Sequence, residues 1–184
     1  MRIISGKWGG RRISPPGNMP HTRPTTDIAK EGLFNILQNR MNFEGIKTLD
    51  LFGGTGCISY ELGSRGAAEM TIVEKDNTMH AFIKKNLDML GAANAKVLKM
   101  DVFSFLNSCT EQFDFIFAGP PYALGSIDEL PKVIVSKKLI APKGFFVLEH
   151  TPRNQYEKFE GFAFVRNYGT TLFSFFTETP AVSE

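Results

Sequence analysis

The 184-residue sequence predicts an α/β fold: a doubly wound, mostly parallel sheet of seven strands with an N-terminal β-hairpin and helix extension. Three observations predict it. From Lys47 onward, short apolar runs alternate with amphipathic helical patterns. The first run ends on Asp50 and breaks into Gly53-Gly54-Thr55-Gly56 before a helix begins. The chain closes on two apolar runs around Gly169, which read as an antiparallel pair instead of another helix. One domain covers 1–184, with 1–43 as the extension and 44–184 as the core, a length that buries a substantial interior without disulfides or metals.

In the extension, Arg2–Trp8 and Arg11–Ser14 are strand-like pieces around Gly9-Gly10, hence a hairpin that Pro15-Pro16-Gly17 ends. Residues 20–26 are extended, because positions preceding proline avoid helical angles. Thr26 or Asp27 caps the next helix, in which Ile28, Leu33, Phe34, Ile36 and Leu37 form an apolar stripe. Strands are then expected at Lys47–Phe52, Glu69–Glu74, Ala95–Met100, Phe113–Phe117 and Gly144–Glu149, with the closing pair at Phe162–Tyr168 and Thr171–Phe176. Helices are expected at Cys57–Arg65, Asp76–Leu90, Val102–Ser108 and around Ile127–Ser136, the first two stopped by Gly66 and Gly91. Repeated strand–helix units give a parallel sheet covered on both faces, and ligands in such sheets sit beyond the carboxyl ends of the strands.

Composition narrows the function classes. The two cysteines, Cys57 and Cys109, show no metal-ligand spacing, and the expectation is a reduced, cytoplasmic protein with no metal. Neither a signal peptide nor a membrane span is legible, and a monomer is the default. The net charge of +2 is unevenly placed: Arg2, Lys7, Arg11, Arg12 and Arg23 precede the first acid, Asp27, and leave the remainder slightly acidic. A basic arm on a near-neutral body suits either a phosphate-rich partner such as RNA or a solvated positive surface.

The strand ends carry the chemistry. Gly53, Gly54 and Gly56 let the backbone turn sharply and approach a ligand, as in dinucleotide and S-adenosylmethionine sites alike. The turn lacks the Gly-Lys-Ser/Thr of a phosphate-binding loop. Glu74 closes the second strand, where an acid accepts both hydroxyls of a ribose, and Asp101 after the third suits an exocyclic amine such as adenine's. Three acids at three successive strand ends repel a pyrophosphate but suit a sulfonium and an ammonium, which favours S-adenosylmethionine. A dehydrogenase remains the alternative from another class, without an obvious hydride-transfer acid in the sequence. Gly119-Pro120-Pro121-Tyr122 follows the fourth strand; its prolines leave carbonyls that no neighbouring strand uses, and Tyr122 stacks on a planar base. His150 reads equally as a pocket residue or a structural one, and Trp8 as an RNA-stacking ring or a packed one.

Arg2-Ile-Ile-Ser-Gly-Lys-Trp8, Arg23-Pro-Thr25-Thr-Asp27, Glu31-Gly-Leu-Phe34-Asn35, Asp50-Leu-Phe52-Gly-Gly-Thr-Gly56, Ser64-Arg-Gly-Ala67, Val73-Glu-Lys75 and Pro120-Pro-Tyr122 occur in order over nearly the whole chain. Together they resemble the bacterial family that methylates the N2 amine of a guanine in 16S ribosomal RNA. The resemblance implies the class I, Rossmann-like methyltransferase fold and S-adenosylmethionine at Asp50, Phe52, Gly53, Gly54, Gly56, Glu74, Lys75, Asp101 and Val102, with Arg23 and Thr25 close by. It implies transfer at residues 119–122, and 16S rRNA of the small subunit, or its assembly intermediate, held by Arg2, Lys7, Trp8, Arg11, Arg12 and Arg23.

Gly119 departs from the family pattern, which has Asp or Asn before Pro-Pro-Tyr. That side chain accepts hydrogens from the target amine, and losing one such preorganised group costs on the order of 10²–10³ in rate, by loose analogy with an oxyanion hole. Three readings stay open: an active enzyme in which a water or neighbouring acceptor replaces the side chain; a weakly active or inactive rRNA-binding homologue; and a single-base change from an aspartate codon. A different nucleic-acid amine as substrate is a further alternative.

Overall fold

The structure is a computed structural model that describes residues 1–19 and 24–178; Arg23 lies outside the described residues. The elements run α1 (Asp27–Gln38), β1 (Lys47–Leu51), α2 (Cys57–Ser64), β2 (Glu69–Val73), α3 (Asn77–Met89), β3 (Ala95–Leu98), α4 (Val102–Ser108), β4 (Phe113–Ala118), α5 (Glu129–Ser136), β5 (Ile140–His150), β6 (Phe162–Tyr168) and β7 (Thr171–Phe176). They build one seven-stranded sheet in the order β3-β2-β1-β4-β5-β7-β6. The pairs from β3 to β5 are parallel, and β7 runs antiparallel between β5 and β6. The strand order reverses between β1 and β4, so a crevice opens at their carboxyl ends.

Side-chain alternation along the strands divides the interior into two cores. Phe115 and Phe117 of β4 join Leu33, Phe34, Ile58 and Phe173 on one face of the sheet, while Ile116 and Ala118 join Leu49, Leu51, Leu106 and Ile134 on the other. Thr26 caps α1, its hydroxyl accepting from the Ala29 N–H at 3.2 Å, and Asp76 caps α3, accepting from Met79 at 2.9 Å. Sequence patterning missed the start of β5, which begins at Ile140 instead of Gly144. A register shift opposite Phe113–Phe115 and the left-handed Lys143 (φ 66°) put an irregularity there, which interrupts the period-two pattern. Among the described residues no helix is long and apolar enough to cross a membrane.

Among the described residues the N-terminal hairpin has one isolated bridge, Arg2 to Arg12, closed by backbone bonds such as Ile3 N–H to the Arg11 carbonyl at 2.9 Å and Ile13 N–H to the Met1 carbonyl at 3.0 Å, and it is also fastened to α2. The Glu61 carboxylate accepts from the Ile4 and Ser5 backbone N–H groups at 2.8 and 3.1 Å and from Arg65 Nε at 3.0 Å. Lys30 of α1, 1 % exposed, stands 3.6 Å from Glu61 and donates to the Arg2 carbonyl at 2.7 Å. One turn on, Ser64 Oγ accepts from the Trp8 N–H at 2.9 Å, and the Ser64 carbonyl accepts from Lys7 N–H at 2.8 Å. Trp8 is buried, as packing requires, but its indole lies against Gly63 of α2, next to Met70, where the sequence suggested the helix from Asp27.

Asp50 is a second buried acid, 2 % exposed in the middle of the sheet. Burial raises its carboxyl, the charge of Glu74 adds to that, and a 2.7 Å bond donated by Ser59 Oγ opposes it, leaving the group pushed up to about 7.

Both acids can be tested through stability. Glu61→Ala strands Lys30 and two backbone donors in a dry site, and urea denaturation is expected to show a loss of roughly 3–5 kcal/mol; a loss under 1 kcal/mol overturns the assignment. For Asp50, the native state holds a proton that the unfolded chain releases between its ordinary pKa of 3.8 and about 7, so this group's contribution to stability falls as pH rises through that window. Asp50→Asn lacks the proton, so its melting temperature is expected to gain on the parent between about pH 5 and about pH 8. An unchanged difference at the two pH values rules out a proton on Asp50.

Candidate active site

A cleft of about 450 Å³ occupies the crevice at the strand ends. Ten of the residues singled out from the sequence line it: Phe52, Gly54, Glu74, Lys75, Asp101, Val102, Gly119, Pro120, Pro121 and Tyr122. Asp50, Gly53 and Gly56 stand behind this surface and shape it. The backbone leaves β1 through a left-handed Phe52 (φ 60°), an uncommon conformation for a residue with a side chain, and enters α2 through Gly56 at φ 82°. Gly53 sits so tightly over β2 that a Cβ there would lie 2.7 Å from Ile72 Cγ2.

The hydrogen bonds of the turn decide which ligands it suits. The Gly53 N–H donates to the Val73 carbonyl at 3.0 Å, Gly54 to Glu74 Oε2 at 2.8 Å and Gly56 to the Gly53 carbonyl at 2.8 Å. None of the three glycine N–H groups is left for a pyrophosphate. Glu74 also accepts from the Asp76 N–H through Oε1 at 3.0 Å, so both of its oxygens are oriented and each keeps a second lone pair. Asp101 caps α4, its Oδ2 accepting from Ser104 N–H at 3.0 Å. With Asp76 and Glu149, these acids put four carboxyl groups around the cleft against, among the described residues, the single cation of Lys75. Phe52, Val73, Met100, Val102 and Leu124 supply apolar wall between them. An amphipathic cation with a planar base fits this lining; a dinucleotide, with its paired phosphates, does not.

On the far side of the cleft, Gly119 through Tyr122 follow β4. The Tyr122 hydroxyl lies 3.3 Å from Glu149 Oε1 and 3.4 Å from Thr171 Oγ1. Thr25 Oγ1 donates to Glu149 Oε2 at 2.8 Å, which is how Thr25 meets a cleft it does not line. Glu149 itself is 5 % exposed, and burial holds its carboxyl above the usual range against the two hydroxyl donors. In the sequence it was one strand-end acid among several; its strand position was the available signal, and its pairing with Thr25, 124 residues away, was not legible.

Other candidates fall outside. His150 is buried, with Nε2 2.7 Å from Ser174 Oγ, Nδ1 2.9 Å from the Thr151 carbonyl and its ring edge-on to Tyr156, so its role is structural. Burial pushes the Cys57 thiol up to about 11, away from nucleophilic use. Arg2, Lys7, Arg11 and Arg12 are exposed on the arm, whereas Trp8, placed among the RNA contacts by the family resemblance, has no exposed ring for a base because packing on α2 and β2 consumes it.

Comparisons with known proteins bear on the family and the fold. The profile of a family described as conserved hypothetical protein 95 matches residues 1–177. Ribosomal RNA small subunit methyltransferase D of Escherichia coli strain K12 is 33% identical over 154 residues, covering 84% of this chain and 76% of that protein. The protein of the same name from Haemophilus influenzae is 32% identical over 153 residues, covering 81% of this chain and 78% of that one. A solved structure, the putative methyltransferase yhhF from Escherichia coli, superposes with a TM-score of 0.84 at 29% identity, covering 97% of this chain and 98% of that one. With a Rossmann-like class I methyltransferase sheet and a family match that runs from its first residue through the last strand, the chain belongs to the conserved hypothetical protein 95 family, in the company of the ribosomal RNA small subunit methyltransferases D.

Proposed function

We propose that the protein transfers a methyl group from S-adenosylmethionine to the exocyclic N2 amine of a guanine in 16S rRNA of the small ribosomal subunit or its assembly intermediate. The observation that carries this reading is the cleft at the strand-order reversal, ringed by carboxylates and with its glycine N–H groups already used, facing the Pro120-Pro121-Tyr122 wall. The names of the relatives, which specify ribosomal RNA of the small subunit, supply the substrate.

S-adenosylmethionine, when bound, supplies a methyl group made electrophilic by a sulfonium. Everything else falls to the chain. Glu74, oriented by Gly54 and Asp76, would accept from ribose hydroxyls, and Asp101 would accept from the adenine amine, with Val102 and Met100 as apolar wall for the ring. The acidic lining attracts the two positive charges of the cofactor. Opposite, Tyr122 offers a ring face to the target base, and the proline-fixed backbone after β4 offers carbonyls to its amine. The basic arm, fixed to α2 through Glu61, holds phosphates with Arg2, Lys7, Arg11 and Arg12. The missing side chain at Gly119 favours a second reading, a homologue that binds cofactor and RNA but methylates weakly.

Methyl transfer from labelled S-adenosylmethionine to undermodified small subunits separates these readings. Transfer to one guanine N2 is expected; firm binding of cofactor and subunit with no transfer sinks the enzymatic reading. In calorimetry, Glu74→Ala is expected to weaken S-adenosylmethionine roughly 10–100-fold, the loss of charged hydrogen bonds worth about 1.5–3 kcal/mol, with no binding of a nicotinamide dinucleotide by the parent. Replacing Arg11 and Arg12 together by Ala is expected to weaken subunit binding and to flatten its log–log salt dependence by about 1 for each phosphate the arm no longer neutralises. An unchanged slope removes the arm from the RNA interface.

A further inference from the structure

We propose that the Glu149 carboxylate is the acceptor for the target amine, doing from β5 what a side chain at position 119 would do from the end of β4. The proposal rests on the methyltransferase reading above and names a catalytic residue for it.

The chemistry sets the requirement. An exocyclic amine on a purine is a poor nucleophile because its lone pair is delocalised into the ring. Acceptors placed at its two N–H groups pyramidalise the nitrogen and free the pair. A carbonyl of the proline-fixed backbone can meet one N–H, but position 119 has no side chain for the other.

The geometry points to where that acceptor comes from. A Cβ built on Gly119 would lie 3.1 Å from Glu149 Oε2 and 3.1 Å from the edge of the Phe117 ring. A carboxylate oxygen thus already stands within 3.1 Å of where a side chain at 119 would begin. Both groups line the same cleft, next to Tyr122. Thr25 Oγ1 at 2.8 Å from Oε2 and the Tyr122 hydroxyl at 3.3 Å from Oε1 fix the carboxylate's orientation. An ionised carboxylate has about four lone-pair sites, so these donors leave capacity for a substrate N–H. Tyr122 therefore aligns the acceptor with its hydroxyl while its ring receives the base.

The electron count closes. The amine lone pair forms the bond to the methyl carbon, and the carbon–sulfur bond breaks with its pair left on sulfur, which becomes a neutral thioether. The nitrogen, now positive, loses one N–H proton to the Glu149 carboxylate, which returns it to solvent. Burial, which raises this carboxyl, makes it a better proton acceptor than an exposed glutamate.

The test uses Glu149→Ala, Glu149→Gln and the double variant Gly119→Asp with Glu149→Ala. Each is assayed for transfer to undermodified small subunits, for S-adenosylmethionine affinity by calorimetry and for melting temperature. Glu149→Ala is expected to lower kcat on the order of 10²-fold, as loss of a preorganised polar group does, with cofactor affinity within about threefold. Gly119→Asp in that background is expected to restore at least about tenfold, a rescue that a residue serving only to hold Thr25 would not show. Glu149→Gln keeps an acceptor oxygen and is expected within about tenfold of the parent, but without the fall in kcat that the parent shows as pH drops and Glu149 takes a proton. The proposal is overturned if Glu149→Ala keeps kcat within about threefold, or if its loss is not rescued while cofactor affinity and melting match the parent. Should Glu149→Ala melt early, Glu149→Gln decides: a flattened acid limb supports the role, and an unchanged limb ends it. A parent that binds S-adenosylmethionine and transfers nothing to any subunit overturns the methyltransferase reading and this one together, whereas an active parent with an indifferent Glu149 overturns this one alone.

Discussion

One buried carboxylate, that of Glu61, ties together the polar groups of three segments that also share an apolar core through Ile3, Trp8, Leu33 and Ile58. It sits on α2, the helix that begins at the glycine turn of the cleft, and it binds the backbone of the arm at Ile4 and Ser5 while pairing with Lys30 of α1. A dry ion pair of this kind adds little net stability compared with well-packed apolar groups, because desolvation offsets much of its Coulomb gain. What it gives is position. The Ile4 and Ser5 backbone donors find their acceptor in Glu61 and Lys30 its counter-charge, so this docking of the arm on α2 satisfies all of them. The basic hairpin is thereby fastened to the helix that starts at the glycine turn of the cleft.

The acids nearer the cleft divide by what touches them. Asp50, opposite Ile72 of β2, accepts from Ser59, and burial pushes its carboxyl up to about 7. Glu74 is half-buried, lines the cleft and is held by two backbone N–H groups, which fix the direction of its oxygens. Glu149 is nearly as buried as Asp50 yet borders the cleft and has two hydroxyl donors. Three carboxyl groups near strand ends thus meet three different surroundings, and their hydrogen-bond partners set them apart.

The alternation of strands and helices was legible from residue patterns because both faces of the sheet are covered and the apolar runs are long and bounded by glycine, proline or acids. Helix α4 and strands β6 and β7 were read to the residue. The start of β5 was not, since its bulge breaks the period-two signal. The cofactor side of the cleft was legible for a related reason: its residues are local, each following directly on a strand. Trp8 and Glu149 were harder. Whether an aromatic among basic residues packs or stacks depends on what stands opposite, here Gly63 and Met70, and no local pattern reports that. Glu149 acquires its meaning from Thr25, Tyr122 and the empty side of Gly119, three segments that meet only after β5 is inserted between β4 and β7.

That meeting also explains why a glycine is sterically at ease at position 119. With Oε2 of Glu149 and the Phe117 ring both 3.1 Å from the site of a Cβ, a side chain there must displace a neighbour that Thr25 and Tyr122 hold in place. An aspartate added beside an intact Glu149 would set two carboxylates in one half-buried site, where like charges cannot both ionise without cost, so one of them takes up a proton and ceases to be a pure acceptor. The two acceptors are therefore alternatives more than partners. The same crowding that makes Gly119 look like a loss in the sequence makes it compatible with a glutamate reaching over from the next strand. The constraint on this wall is then a single well-oriented acceptor oxygen beside the proline carbonyls, whichever strand supplies it.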